Sequence, residues 1–220
     1  MKKAYSPTDI VKIKIETLPF EGEWAEAFGT PAVNETWFIS GKSSSGKSSF
    51  VMQLAKMLCR FGKVLYISLE EQISPSFQKR LRLFSMNEVQ GKFSVILDAD
   101  MDELRERLHR PKSAHFIIID SLQYAEWEYK PLKKFVDDEF PDKSFIFISQ
   151  ESKGRPMGKV AEKVKYMAGV KIRTIGFRAY CQGRFAGEDS TFYTIWAEKA
   201  AQHWHTKDNK AEFIDGEEAD

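Results

Sequence analysis

Hydrophobic and polar positions fall in blocks that switch between two periods. Thr36–Ser40 is a short apolar run. Lys47–Phe61 then places apolar residues at Phe50, Val51, Leu54, Ala55, Leu58 and Phe61, the spacing of one helix face. Val64–Leu69, Phe93–Leu97, His115–Ile119 and Ser144–Ser149 are further apolar runs of strand length. Between them, Ser76–Phe84, Asp102–His109 and Pro131–Glu139 predict helices, the second stopped ahead of Pro111. Apolar strands alternating with helices predict an α/β fold, with a mostly parallel central sheet flanked by helices. Beyond Gly169 the runs shorten. Val170–Thr174, Phe177–Gln182 and Phe192–Ala197, separated by turns at Gly176 and Gly183–Gly187, predict C-terminal antiparallel strands that extend the sheet. Residues 1–35 hold Pro7, Pro19, Gly22, Gly29 and Pro31, which predicts an irregular lead-in with one short helix, Gly22–Phe28. The expected division is a lead-in over 1–35, a core over 36–206 and an acidic tail over 207–220.

Composition narrows the class. The chain has 220 residues, 42% hydrophobic and 30% charged, with 17 Phe and 5 Trp. That is enough apolar material for one packed domain and excludes wholesale disorder. Two cysteines, Cys59 and Cys181, exclude a disulfide scaffold and a four-cysteine zinc site. No aliphatic or aromatic run exceeds four residues, far below the ~20 a membrane span needs. The basic start, Met1-Lys2-Lys3, leads into polar residues rather than a secretory leader. A soluble, cytoplasmic protein with no membrane partner is expected.

The sharpest chemical signal is Gly41-Lys42-Ser43-Ser44-Ser45-Gly46-Lys47-Ser48, which matches G-x-x-x-x-G-K-[ST] in full. It sits between a predicted strand and an amphipathic helix. Gly41 and Gly46 permit backbone angles closed to other residues, so successive amides can wrap a phosphate. The following helix adds its unpaired N–H groups and the positive end of its dipole. Lys47 is expected to reach the β- and γ-phosphates, and the Ser48 hydroxyl to reach Mg2+. Gly41, Lys42, Ser43, Ser44, Ser45, Gly46, Lys47, Ser48 and Ser49 are therefore the candidate nucleotide contacts, with ATP and Mg2+ as the expected cofactors.

Hydrolysis needs further groups, and the ends of the strands supply candidates. Phe116-Ile117-Ile118-Ile119-Asp120 is an apolar strand ending in a carboxylate suited to the Mg2+ shell. Glu70-Glu71 ends another strand, at the edge where parallel sheets bind ligands. Either carboxylate can orient or deprotonate an attacking water, and Glu70 is the favoured one. Gln150, closing Ser144–Ser149, can donate to a γ-phosphate and register its loss.

Together these residues resemble the RecA-like P-loop ATPases, on the RadA and DnaB-type helicase branch. The likeness is carried by Gly41–Ser48, Tyr66-Ile67-Ser68-Leu69-Glu70, Ile118-Ile119-Asp120-Ser121-Leu122-Gln123 and Ser149-Gln150. It spans roughly 36–197. The resemblance implies a ring or filament of identical subunits with ATP between neighbours, and Glu70 activating water. It also implies a Lys-x-Arg pair reaching into the neighbour's site. Here Gln182-Gly183-Arg184-Phe185 occupies that place. Arg184 fits the arginine, but Gln182 replaces the lysine, so slower hydrolysis or a substitute such as Arg178 is expected. A chain that is nearly all core also resembles the compact RecA-like proteins of phages and mobile elements.

Charge is unevenly placed. Ser152–Arg184 carries nine basic residues against one acid, Glu162, although the whole chain is only +1. Ser152–Gly158 also holds Gly154, Pro156 and Gly158, which predicts a mobile basic loop just after the Gln150 strand. Lys153, Arg155, Lys159, Lys163 and Lys165 are the candidate contacts to single-stranded DNA. A solvated basic face, or an interface with an acidic neighbour, is the alternative. Trp127 and Tyr129 can stack on bases or simply pack. His203 and His205 lack the further ligands a metal site needs. A DNA-stimulated ATPase is the expected function; the rivals are a nucleotide-dependent assembly factor and a small-molecule kinase.

Overall fold

The computed structural model describes residues 4–98, 100–182, 184 and 191–208. Its centre is a parallel sheet: β1 (Trp37–Gly41), β2 (Val64–Ser68), β3 (Phe93–Ile96), β4 (Phe116–Asp120), β5 (Ser144–Ser152) and β7 (Val170–Ile175). β6 (Arg155–Pro156) folds back on β5, and β8 (Arg178–Gln182) and β9 (Phe192–Thr194) add antiparallel strands. The spatial order is β3-β2-β4-β5-β1-β7-β8-β9.

β1, β2 and β4 are buried at every position, as strands covered on both faces must be. Alternate side chains divide between two cores. Trp37, Ile39, Tyr66, Ile118 and Ile146 pack on one side with Phe50, Leu54 and Leu58 of helix α3 (Lys47–Leu58). Phe38, Ile67, Ile117, Ile119, Phe145 and Phe147 pack on the other. There they meet helices α5 (Met101–His109), α6 (Tyr129–Lys134) and α7 (Lys159–Met167) through Leu104, Leu132 and Val164. α4 (Pro75–Leu83) starts at Ser74, whose hydroxyl accepts from the Phe77 amide. α6 runs on as a π-helical turn, Phe135–Glu139.

The lead-in has more order than its prolines and glycines predict. α1 (Pro7–Lys12) is capped by Ser6 and Asp9 but buries no residue. Leu18, Phe20 and helix α2 (Glu23–Phe28) belong to the first core, where Trp24 and Phe28 meet Phe50 and Tyr193.

Three expectations change in detail. The first C-terminal run, β7, is parallel to β1 and only then antiparallel to β8. The loop expected over Ser152–Gly158 is a hairpin, in which β5 continues to Ser152 and turns back as β6, and it gives way to α7. Ala161, Val164 and Ala168 supply the sparse apolar stripe that holds α7 down. The run Phe192–Ala197 is a strand only to Thr194, and helix α8 (Ala197–Asp208) follows. Of the tail over 207–220, only the last turn of α8 is among the described residues, and Gly183 and 185–190 also lie outside them. Among the described residues, no helix is long and apolar enough to cross a membrane.

Candidate nucleotide site

β1 delivers the chain to the phosphate loop between its neighbours β5 and β7. Gly41 has no room for a side chain. A Cβ there would lie 2.6 Å from the Thr174 carbonyl oxygen, 2.7 Å from Ser45 Oγ, and closer still to Thr174 Oγ1. Thr174 pins the loop from β7: its hydroxyl is 2.7 Å from Ser45 Oγ and donates to the Ser40 carbonyl at 3.3 Å. The Phe177 amide donates to the Ser45 carbonyl at 3.1 Å. Ser44 (φ +61°) and Gly46 (φ +100°) bend the loop into the concave amide arrangement that binds anions.

Gly46 is also the N-cap of α3, whose first turn holds no acid to compete with a phosphate. Lys42, Ser43 and Ser44 are exposed, and Ser48 and Ser49 are half-buried in that turn. Lys47 folds back over the loop, donating to the carbonyls of Gly41 (2.8 Å) and Lys42 (3.0 Å). Burial pulls its ammonium below the usual lysine range, while the charges of Glu70, Asp120 and Glu151 oppose that shift.

The acidic groups stand along the same edge of the sheet, where β2, β4 and β5 end. Asp120 is 9% exposed and accepts a hydrogen bond from the buried Tyr66 hydroxyl. Burial pushes its carboxyl up to about 6; the Tyr66 bond works against this, and the Glu70 charge adds to it. The Glu70 and Leu69 amides both donate to the Asp120 carbonyl, which joins the ends of β2 and β4.

The two adjacent glutamates are separated by the structure. Glu70 Oε1 accepts from Gln150 Nε2 at 2.6 Å, and its Oε2 accepts from Ser121 Oγ at 3.0 Å. Glu71 turns away into the start of α4, paired with Arg80 at 2.6 Å and bonded to Ser74 and Ser76. Gln123, from the same short turn as Ser121, donates to Ser149 Oγ at 2.6 Å.

The donors suit the expected cofactors. A hydroxyl and a carboxylate, Ser48 and Asp120, are hard oxygen ligands of the kind Mg2+ takes together with waters and phosphates. Among the described residues, no group of three or more His, Cys, Asp or Glu is placed to hold a metal unaided.

Arg184 is exposed beyond the end of β8. Gln182 pairs with Lys171, near the start of β7, so Arg184 follows at the far end of the sheet from its own phosphate loop. Arg178 is at the loop end, but its guanidinium lies between Phe192 (4.2 Å to the ring centre) and Trp204 (4.7 Å). Trp127 and Tyr129 pack against the second core.

The basic residues are divided between two elements. Lys153 and Arg155 are exposed on the β5–β6 hairpin, and Lys159 and Lys163 on α7, with Lys165 half-buried. Lys163 reaches toward α6, its ammonium 5.4 Å from the Tyr129 ring centre.

Sequence reasoning missed Glu151, the residue after Gln150. Its side chain is 1% exposed and takes an ion pair from Arg173 Nε at 2.9 Å and a hydrogen bond from Ser40 Oγ at 2.8 Å. This ties β5, β1 and β7 together directly behind the phosphate loop. The period-2 register of Phe145, Phe147, Ser149 and Glu151 was the available signal.

A phosphate loop between a parallel strand and its helix, acidic strand ends beside it, and antiparallel strands extending the sheet beyond β7 match the RecA-like P-loop fold. Solved structures agree. The flagellar accessory protein FlaH from Methanocaldococcus jannaschii superposes with a TM-score of 0.60 at 19% identity, over 81% of this chain and 93% of that one. A KaiC-like protein from Pyrococcus horikoshii gives 0.53 at 16%, over 78% and 88%. In sequence, the DNA repair protein RadA of Streptococcus pneumoniae is 32% identical over 85 residues, 39% of this chain. RadA of Streptococcus pyogenes is equally similar. The match spans only about a fifth of those relatives, 19% and 18% of their lengths. No family profile matches the chain.

Proposed function

We propose that the chain is an ATPase that binds Mg·ATP on the phosphate loop, assembles with copies of itself, and acts on single-stranded DNA. The observation that carries this reading is the Gln150–Glu70–Ser121 arrangement beside Lys47 and Asp120. A carboxylate after β2, bonded across the end of β4 to a side-chain amide on β5, suits in-line attack of water on a γ-phosphoryl group.

Mg·ATP, when bound, supplies a phosphoanhydride whose γ-phosphoryl passes to water, leaving ADP. Lys47 exchanges the Gly41 and Lys42 carbonyls for phosphate oxygens. Ser48 and Asp120 would hold Mg2+, which would offset the phosphate charge, and Asp120 must be ionised to do so. Glu70 orients the water and takes its proton as the new P–O bond forms. Gln150, bonded to Glu70, is proposed to exchange that partner for the γ-phosphate, so that the strand continuing into the basic hairpin registers the nucleotide. Arg184 is proposed to complete the site of a neighbouring subunit. Lys153, Arg155, Lys159, Lys163 and Lys165 are proposed to meet DNA, a reading supported by the likeness to RadA, a DNA repair protein.

Steady-state ATP turnover with and without oligothymidylate tests this. Severalfold stimulation is expected; turnover indifferent to the oligonucleotide contradicts the DNA part. The glutamine at 182 favours a second reading, a nucleotide-dependent assembly factor with slow hydrolysis. ATP-dependent oligomers with neither DNA binding nor stimulation decide for it.

A further inference from the structure

The fold sorts the basic segment by direction. α7 turns Ala161 and Val164 to the core. Glu162, Lys165 and Tyr166, spaced i, i+3, i+4, share the flank toward β7. Lys163 lies on the opposite flank, toward α6. On the β7 side, a cleft of about 500 Å3 opens between α7, the β5–β6 hairpin and β7, lined by Arg155, Glu162, Lys165, Tyr166 and Lys171. The size falls in the range of about 300–1,000 Å3 typical of small-ligand sites.

Its chemistry is specific. Three cations face a single carboxylate. Tyr166 stands at the rim 84% exposed, a large ring offered to solvent rather than to the core. β7 alternates buried and half-buried residues, so Lys171 and Arg173 share one face. Arg173 carries that face to Glu151, next to Gln150 and its bond to Glu70.

We infer that this cleft receives one nucleotide of a single-stranded nucleic acid, its phosphate held by Arg155, Lys165 and Lys171 and its base stacked on Tyr166. The inference rests on the nucleic-acid reading above and narrows it to one side of α7. Cations that track a backbone beside an aromatic ring that accepts any base are what sequence-tolerant single-strand binding requires. A protein partner fits less well, because charged residues are depleted from the centres of protein interfaces.

Fluorescence anisotropy of a labelled oligothymidylate, titrated with the 220-residue chain and a non-hydrolysable ATP analogue across a salt series, tests it. Lys171→Glu should weaken binding at least about tenfold and reduce the salt slope by about one. Tyr166→Ala should weaken it at least about fivefold with the slope unchanged. Lys163→Glu should cost about twofold. Thermal unfolding of each variant checks that the fold is kept, as expected for exposed or half-buried positions. If the wild type binds and both cleft variants match it, the cleft is wrong while the nucleic-acid reading stands. If the wild type itself does not bind, that reading fails and the cleft with it. If the variants lose binding only because sedimentation shows lost self-association, the cleft is a subunit interface and the inference is overturned.

Discussion

The two halves of the sheet place their chemistry differently. In β1, β2 and β4 every residue is buried, and the reactive groups stand at the strand ends: Gly41, Glu70 and Asp120. In β7 burial alternates, and the charged groups Lys171 and Arg173 lie along the strand face. A strand covered on both sides can present polar groups only where it stops, whereas a half-covered strand presents them along its length. The first arrangement builds a fixed pocket, the form the proposed triphosphate needs. The second builds an elongated surface, the form a polymer needs. Glu151 joins the two, since it belongs to the central strand β5 but is ion-paired with Arg173 on β7.

This contrast can be broken at its strongest point by Gly41→Ala. The added Cβ meets Thr174 and Ser45 atoms, among them a backbone oxygen, so the loop must move. Nucleotide binding should be lost, and stability should fall by about 2 kcal/mol, roughly 4–8 °C in Tm for a chain of this size. Calorimetry with Mg·ATP and a thermal melt check both; normal nucleotide affinity contradicts the cradle.

A smaller effect is expected at the joint. Glu151→Gln keeps an acceptor for Ser40 but removes the charge facing Arg173. Basal turnover and oligothymidylate affinity should each change less than about threefold, while stimulation of one by the other should fall toward unity. Intact stimulation would mean that the halves are not coupled through this pair.

The effect furthest from function sharpens the electrostatics of the first half. In metal-free protein the Asp120 carboxyl lies at about 6 rather than its ordinary 3.8. The folded state therefore binds its proton more tightly than the unfolded chain. That stabilisation is complete below pH 3.8 and is lost as pH rises through 6. Asp120→Asn, which resembles the protonated acid, should match the wild type near pH 4. By pH 8 in EDTA it should exceed it by on the order of 2 kcal/mol. Urea unfolding at the two pH values measures this; parallel pH profiles contradict it.

Legibility in the sequence follows the same division. The phosphate loop, Glu70, Asp120 and Gln150 were readable because each is set by a local rule: a glycine-spaced motif, or the last residue of an apolar run. Glu70 and Glu71 were not separable by position, since only the fold brings Arg80 and Ser76 against one of them. The basic segment misled. Its charges hide an apolar stripe whose buried members are Ala161, Val164 and Ala168, so no helix was assigned after Gly158 and β7 lost the crossover helix that makes it parallel. Glu151 was passed over because β5 looked finished at Ser149. The Thr174–Ser45 contact joins residues 129 apart and leaves no local trace.

The most direct test compares ATP turnover by wild type, Glu70→Gln and Glu71→Gln, with Mg·ATP affinity measured alongside. The geometry at Gln150 and Ser121 predicts near-complete loss of turnover in Glu70→Gln at unchanged affinity, and largely retained turnover in Glu71→Gln. An active Glu70→Gln protein beside an inactive Glu71→Gln one would contradict the assignment of the hydrolytic carboxylate.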